Sequence, residues 1–512
     1  MSRPAYGNIT TPRAAGFLGL GMAAAAVAFA SIAVAAVLLM VGWLIPAGVV
    51  LVVGIWAVVW MARGKRQGRS SLERRMNARR FRKAQRKGTV KYVSGPASRI
   101  PDGASRAPGL LAGTIPYEGT DAFGQEFGML WNPRDRTATV FFSCAGQGRG
   151  LSDQSSIDLL VDGWSGFLAQ AGLVADLVQI AVTTQATRDP GERLPAAVAG
   201  ARVNHGTADP VSLGEAGSFV RGTVDEIVQT INWNMPRISQ HVALTFSGAE
   251  IASEGTVARQ AEDMLADLAI QMPALAELLT GAGALTVSRM KIADIVDYAF
   301  VAYNPDRALA VERARLNGGT NLSWFEVGPA AAEAGLEHWE HSGYVSRTMT
   351  VWKPPAGFFM DDSLTALLLP DGVSEQKRVT MLYRVLGPEE SIAALEGDKT
   401  NRLFEINQGG KAATAAAGRD LGSAVDGADE QAHGAAVVRF SFVMTSTVPK
   451  GPDQKIRLDK AGAALRRACS TGVQMSIRPS DGAHDSGHAI GLGLGLVPAT
   501  HATVSAAMRK SL

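Results

Sequence analysis

Beyond residue 120, apolar residues recur with the two periodicities that distinguish strands from helices. Short apolar or alternating runs rich in β-branched and aromatic residues predict strands. These runs lie at 125–131, 137–144, 176–184, 238–246, 344–352, 377–386, 436–448 and 473–479. Strands mixed with helices in two sets predict an α+β fold, with a body of two mixed α/β lobes at 120–303 and 344–512 and a connection at 304–343.

The helical stretches between these strands show apolar residues three and four positions apart. This spacing predicts helices at 213–232 and 459–470. A further helix is expected to begin near Val257, and Pro273 should kink or divide it because proline cannot donate the internal hydrogen bond.

A long uncharged segment precedes the body. From Ala14 to Ala62 there is no acidic residue, basic residue or histidine. A single helix of this length would extend about 73 Å, far beyond the roughly 30 Å of a bilayer hydrocarbon core. The turn-forming sequence GWLIPAG at 42–48 therefore predicts a transmembrane hairpin over 14–62, with helices near 15–40 and 46–62.

The next segment, residues 63–91, has 13 lysines and arginines but a single acid, Glu73. Basic residues beside a span mark the cytoplasmic side, so the sequence predicts a multi-pass protein of the cell membrane with both termini, including residues 1–13, in the cytoplasm. As a basic juxtamembrane segment it is expected to face anionic lipid. The cations that we expect to do so are Arg63, Lys65, Arg66, Arg74, Arg75, Arg79, Arg80, Arg82 and Lys83.

The positive charge of this segment could also bind nucleic acid. The segment lacks interleaved aromatic residues, so the sequence does not favour that reading. Residues 92–119 are rich in proline, glycine and serine and predict a linker between the basic segment and the body.

Composition adds few constraints. The chain has 512 residues, of which 46% are apolar, so it can fill the cores of one large or two ordinary domains. Its two cysteines, Cys144 and Cys469, do not form a disulfide framework and are expected to be buried small hydrophobes in a reducing compartment.

The glycine loop CAGQGRG at 144–150 raises the question of nucleotide binding. It follows a strand and precedes a helix, but it lacks the lysine and hydroxyl residue of a P-loop. Asp153 is expected to cap the helix and would repel a phosphate there. We therefore expect a tight connection with no nucleotide cofactor.

Two histidine clusters are candidate metal or catalytic sites. His338 and His341 could share a helix face, and His484, Asp485 and His488 could converge in a loop. Neither cluster has further ligands at a recognised spacing, so no metal site and no catalytic residue is expected. The sequence GLGLGLVP at 491–498 reads as flexible, and the Ala/Gly-rich stretch 409–434 as a weak helix or a mobile connection.

The order of these segments resembles a known family. The two apolar helices, the basic stretch and FGQEFGMLWNPRDRTATVFFSCAGQGRGLSDQ, followed by VADLVQIAVTTQ, ISQHVALTF and KRVTMLYRVL, resemble an actinobacterial membrane protein family encoded near conjugation genes. They are similar to a PrgI-like two-helix membrane subunit fused to the amino-terminal region of type IV secretion ATPases of the CagE and TrbE kind. That pattern places a nucleotide-free turn at CAGQGRGLSDQ. The chain departs from the ATPases in stopping at Leu512 without their P-loop motor.

The resemblance implies a non-enzymatic, membrane-anchored structural component of a conjugation or type IV-like secretion machine. Its partners would be a separately encoded ATPase, docked at the inner face of the membrane, and other membrane subunits of an oligomeric complex. Two alternatives remain open at this point: a type VII secretion subunit like EccE, and a membrane-bound enzyme that uses the histidine clusters.

Overall fold

The structure, a computed structural model, describes most of the chain between residues 22 and 500. The residues outside it within this range are 64–66, 68, 70, 96–97, 99–103, 147–151, 175, 190, 192, 206–213, 231–235, 250–256, 356–359, 409–421, 423–426 and 428–435. The predicted weak helix or mobile connection at 409–434 thus lies almost wholly outside the described residues.

The described chain begins with two helices, α1 (Met22–Met40) and α2 (Leu44–Arg63), joined by a three-residue turn. The turn contains Gly42, whose φ of +84° is a conformation that glycine adopts without strain. A Cβ atom added at Gly54 would lie 2.5 Å from the Ser31 side chain. The two helices therefore approach closely where a glycine faces a small residue.

None of the helices in the described part of the chain combines the length and apolar character needed to cross a bilayer. The predicted transmembrane hairpin at 14–62 is therefore wrong, and so is the multi-pass location in the cell membrane with both termini in the cytoplasm. Those predictions rested on the absence of charge, which measures apolarity only indirectly.

After α3 (Ser71–Arg86), the described residues fold into an α+β body built on one antiparallel sheet of thirteen strands. The strands are β1 (Lys91–Val93), β2 (Ile115–Thr120), β3 (Glu126–Asn132), β4 (Thr137–Gly146), β5 (Leu177–Arg188), β6 (Pro236–Ser247), β7 (Ala284–Arg289), β8 (Ala331–Ala334), β9 (Trp339–His341), β10 (Tyr344–Lys353), β11 (Gln376–Val385), β12 (Val438–Pro449) and β13 (Ser476–Pro479).

The remaining helices flank this sheet. They are α4 (Gln154–Ala171), α5 (Arg193–His205), α6 (Gly214–Thr230), α7 (Ala261–Gly281), α8 (Ile292–Tyr303), α9 (Ala308–Leu316), α10 (Thr365–Leu368), α11 (Pro388–Gln408), α12 (Gln454–Val473) and α13 (His484–Gly491). Of the two predicted effects of Pro273, a division of α7 is absent, because the helix is continuous from Ala261 to Gly281. The helix continues through Pro273 because Met272 and Leu275, on either side, are buried in the core.

The sheet runs in the order β1-β8-β9-β10-β12-β11-β5-β6-β4-β3-β2, while β13 pairs with β10 and β7 pairs with β4. The first lobe therefore has the order β5-β6-β4-β7, and the second lobe repeats it as β11-β12-β10-β13. β5 and β11 pair antiparallel from Ile180 opposite Tyr383 to Thr187 opposite Gln376. This pairing joins the two lobes into a single sheet.

Successive strand residues point to opposite faces, so the sheet has a core on each side. On one face, Phe127, Phe142 and Phe246 pack against α4 and α7, and the strands of the second lobe pack against α12. On the other face, Phe141 and Ala243 pack against α8 and α13. This second face, which we call the α8 face, carries the polar groups described below.

The sequence GLGLGL at 491–496 is buried against the α8 face, so the prediction of a flexible segment is wrong. Leu492, Leu494 and Leu496 expose 2% or less of their surface in the core. The intervening glycines lie against threonines of successive strands. We call residues 491–496 the crossing segment, because its chain passes over β12, β11, β5, β6 and β4.

Side chains from both lobes hold the crossing segment through its carbonyl oxygens. Thr380 Oγ1 donates to the carbonyl oxygen of Gly491 at 2.6 Å. His241 Nε2 and Tyr298 Oη both donate to the carbonyl oxygen of Leu492, at 3.2 and 3.0 Å. The segment therefore contributes to the polar as well as the apolar part of the core.

Candidate functional site

A cavity of about 360 Å³ lies on the α8 face of the first lobe, between the sheet and the helices α8 and α9. Polar side chains of the strands form one wall, among them Ser143, Gln185 and His241. Tyr298 of α8 and Glu312 of α9 belong to the opposite wall. A concave site of this size, with polar groups among apolar ones such as Val301 and Val311, can hold a small ligand.

The charged groups of the cavity pair with one another. Arg315 contacts Asp294 and lies 3.1 Å from Asp297, and Arg237 lies 3.2 Å from Glu312. Burial raises the pKa of Glu312, but the hydrogen bonds and charges of the neighbouring arginines hold it below its ordinary value. Because cations and carboxylates neutralise each other here, the cavity suits a neutral polar or zwitterionic ligand better than a phosphate.

The two histidines of EHWEH do not share a helix face, because residues 339–341 form β9. His338 is half-buried, and its Nε2 lies 3.3 Å from Glu340. His341 is buried: its Nδ1 donates to the carbonyl oxygen of Tyr303 at 2.7 Å, and its Nε2 accepts from Ser346 Oγ at 2.8 Å. Both ring nitrogens of His341 are therefore committed to structural hydrogen bonds.

The histidines of HDSGH lie on the short helix α13 and are buried, not in a loop as the sequence suggested. His484 Nδ1 accepts from the backbone N–H of Thr348 at 3.1 Å. His488 lies among rings of other segments, with centroids 5.2 Å from His341 and 4.8 Å from Trp339. The fold thus brings His341 and His488 together, although they belong to different sequence clusters.

Burial keeps these imidazoles neutral. It lowers the pKa of His241 and of His341 to about 4, with the nearby Arg378 contributing in the same direction. Burial, Arg378 and His341 also hold the pKa of His488 well below its ordinary value. Within the described residues, no group of three or more histidine, cysteine or acidic side chains is arranged to hold a metal ion.

Arg378 of β11 is the charged group at the centre of this region. Its side chain is 1% exposed, and its Nε donates to Gln185 Oε1 at 3.0 Å. The guanidinium carbon lies 5.7 Å from the centre of the Tyr298 ring, and neither Nη atom has a hydrogen-bond partner among the described residues. Sequence analysis missed this residue because an arginine within a strand pattern reads as a solvent-facing position.

The cysteines are not activated nucleophiles. Burial raises the pKa of Cys144 to about 11 and that of Cys469 to about 12. Cys469 is fully buried, as predicted, whereas Cys144 is only partly buried. Both thiols stay protonated at neutral pH, and a thiol is a far weaker nucleophile than a thiolate.

The glycine loop lies between β4 and α4, and its residues 147–151 are outside the described part of the chain. The predicted cap is confirmed, because Asp153 accepts a hydrogen bond from the backbone N–H of Ser156 at 3.2 Å. The Asp153 carboxylate thus occupies the N-terminus of α4, the position that a bound phosphate would need.

The basic segment forms a helix for most of its described length. Arg63 is the last residue of α2, and Lys65 and Arg66 lie outside the described residues. The other expected lipid-facing cations lie on α3 and are exposed: Arg74, Arg75, Arg79, Arg80, Arg82 and Lys83. The structure therefore presents these six charges on one short helix.

Comparison with known proteins places the chain in no group. No protein-family model matches the sequence, and no curated protein matches it significantly.

Proposed function

We propose that the protein is a non-enzymatic structural subunit of a conjugation or type IV-like secretion machine, and that it binds a separately encoded ATPase. The observation that carries the proposal is an apolar face on α6. Phe219, Val220 and Ile227 expose 75%, 59% and 49% of their surfaces there. An amphipathic helix that displays large apolar residues is a common means of docking into a partner's groove.

The burial pattern of α6 explains why this face is available. Val224 and Val228 of the same helix are half-buried. Phe219 and Ile227 lie about 80° away from each other around the helix, on the side that remains exposed.

The chemistry of the interior supports a structural role over the alternative of a histidine-dependent enzyme. His341 and His484 use ring nitrogens in internal hydrogen bonds, and His488 is sealed among aromatic rings. General acid–base catalysis needs a histidine within reach of a substrate and a pKa near the working pH. These side chains are buried, and the pKa values of all three are lowered.

The choice of partner comes from the resemblance. In the ATPases that the sequence resembles, the related region precedes a motor domain in the same chain. In this proposal a separately encoded ATPase supplies the motor, and the exposed face of α6 offers the surface that binds it.

The test is binding of the purified full-length protein to the ATPase encoded nearest its gene. Replacing Phe219 and Ile227 together by aspartate should weaken binding by about 30-fold or more, because each change places a charge at the centre of an apolar contact. Gln229→Asp is the matched control: it adds an acid to an exposed position on the other side of α6. Calorimetric titration gives the affinities.

Equal affinities for the double variant and the control would exclude α6 as the docking surface. Failure of the unmodified protein to bind the ATPase at micromolar concentration would overturn the choice of partner.

A further inference from the structure

Two adjoining clefts, of about 330 and 320 Å³, lie where α3 meets the second lobe. Arg69 and Arg478 line both clefts. Arg69 precedes α3, and Arg478 belongs to β13. Residues more than 400 positions apart in the sequence therefore converge on one concave surface.

The clefts carry an excess of positive charge. Their lining includes six arginines, which are Arg69, Arg74, Arg80, Arg347, Arg466 and Arg478, and four acids, which are Glu73, Glu337, Asp459 and Asp481. Asp459 Oδ1 lies 2.7 Å from Arg347 Nη1, so this acid and this arginine neutralise each other and the excess of arginines over acids is unchanged. The excess positive charge is confined to two small clefts, where it raises the electrostatic potential and attracts anions.

A bound anion would stabilise the guanidinium group of Arg478 in its present position. Its Nη1 donates to the carbonyl oxygen of Gln67 at 3.2 Å, while its buried Nε has no hydrogen-bond partner among the described residues. Burial, followed by the neighbouring Arg69, lowers the pKa of the Arg478 guanidinium, and Glu73 acts in the opposite direction. Two guanidinium groups that repel each other across a cleft are a favourable setting for a bridging phosphate.

A row of exposed cations lies on another side of α3. The row consists of Arg75, Arg79, Arg82, Lys83 and Arg86, spaced at positions i, i+4, i+7, i+8 and i+11. These positions fall on one helix face about 16 Å long. Arg74 and Arg80, which line the clefts, lie outside this row.

We propose that α3 and the two clefts bind the sugar–phosphate backbone of nucleic acid, with one phosphate between Arg69 and Arg478 and its neighbours along the exposed row. Arginine suits this task because its planar group contacts two phosphate oxygens at once. The concave, two-sided distribution of charge favours a nucleic acid strand over a bilayer, since a flat surface could contact the exposed row but could not enter the clefts.

The experiment measures binding of the full-length protein to a fluorescein-labelled 20-nucleotide DNA of mixed sequence, single-stranded and duplex, by fluorescence anisotropy. Affinity should be independent of sequence and should fall steeply between 50 and 200 mM salt, by roughly 0.7 to 0.9 logarithmic units per contacted phosphate for each tenfold rise in salt. Parallel arms use anionic phosphatidylglycerol vesicles and inorganic phosphate as competitors.

Three variants locate the site. Arg69→Lys combined with Arg478→Lys keeps the charge but removes the planar groups, and it should weaken DNA binding by about tenfold. Arg69→Gln combined with Arg478→Gln should weaken binding further and reduce the salt dependence by about one phosphate contact. Arg457→Gln is the control: it removes an exposed arginine of α12 that pairs with Asp453 outside the clefts, and it should leave the affinity unchanged.

Each result bears directly on the proposal. The unfolding temperature of the lysine variant is measured as well. If it equals that of the wild type, weaker DNA binding results from the changed site and not from misfolding. Binding to vesicles with no measurable affinity for DNA would overturn the proposal in favour of a lipid surface. DNA binding that the lysine and glutamine variants leave intact would also overturn it, because the clefts would then play no part.

Discussion

At the scale of single residues, Arg378 is the least expected feature of the core. Taking a charge out of water costs several kcal/mol unless partners compensate for the lost hydration. Arg378 obtains one hydrogen bond, to Gln185, and a position over the Tyr298 ring. Its remaining neighbours include the neutral ring of His488.

We therefore expect Arg378→Met to raise the free energy of unfolding by about 1–2 kcal/mol, because methionine fills similar volume without a charge. Gln185 lines the cavity, so it can hydrogen-bond to water after the change. Arg378→Ala should instead lower the free energy of unfolding by about 2 kcal/mol or more, since it leaves a hole. Urea-induced unfolding measures both, and a methionine variant as unstable as the alanine variant would show that the guanidinium stabilises the fold.

At the scale of elements, the crossing segment depends on glycine for two separate reasons. Gly493 and Gly495 have φ angles of +66° and +82°, which residues with side chains rarely adopt. A Cβ atom at Gly493 would also lie 2.2 Å from Thr183 Oγ1, and one at Gly495 would lie 2.0 Å from Thr139 Oγ1. Both the backbone conformation and the close approach therefore exclude a side chain.

A pair of alanine substitutions separates these reasons. Gly343, in the turn between β9 and β10, has a φ of +77° but nothing within 4 Å of an added Cβ. Gly343→Ala should cost about 1–2 kcal/mol of unfolding free energy, from backbone strain alone. Gly493→Ala should cost at least about 2 kcal/mol more, because overpacking is added. Thermal unfolding compares the two, and equal losses would mean that the crossing segment can move away from the sheet.

The elements also show what the sequence could predict. All eight predicted strands are present, because long runs such as 436–448 carry a clear pattern. The short strands β1, β8 and β9 were missed, since three or four residues are too few to show a period, and β2 and β7, of six residues each, were missed as well. The crossing segment was misread because its glycines suggested mobility. Its strict alternation of glycine and leucine was the signal for a segment buried on two sides.

At the scale of the whole molecule, the joining of the two lobes was beyond sequence reasoning. The pairing of β5 with β11 links residues nearly 200 positions apart, and pattern alone gives no partner for a strand. The candidate sites depend on the same long-range contacts. His341 meets His488, and Arg69 meets Arg478, only after the sheet has formed.

The shared core of the lobes predicts how stability depends on pH. His241 and His341 stay neutral in the fold down to about pH 4, but they bind protons near pH 6.5 when unfolded. The unfolded state therefore binds more protons between these values. The contribution of these histidines to the free energy of unfolding is constant above pH 6.5. Below pH 6.5 the free energy of unfolding falls by about 1.4 kcal/mol per pH unit for each buried histidine, including His488.

His488→Phe should keep the aromatic packing and make this dependence shallower by one proton between pH 6.5 and 5. Urea-induced unfolding at pH 7.5, 6 and 5 measures the slope. Leu492→Val, a buried change on the adjoining segment with no titratable group, is the control and should keep the wild-type slope. An unchanged slope in the phenylalanine variant would show that His488 is protonated in the folded protein.

The position of the crossing segment also matters for synthesis of the chain. Residues 484–496 leave the ribosome after all thirteen strands, yet they cover the α8 face of both lobes. Until then, the strand residues that this segment contacts, such as Val443 and Thr183, are uncovered on a sheet that lacks part of one layer. Part of this face therefore stays uncovered until the end of translation, so the yield of the protein in the cell should depend on chaperones that hold an incomplete sheet until residues 484–496 arrive.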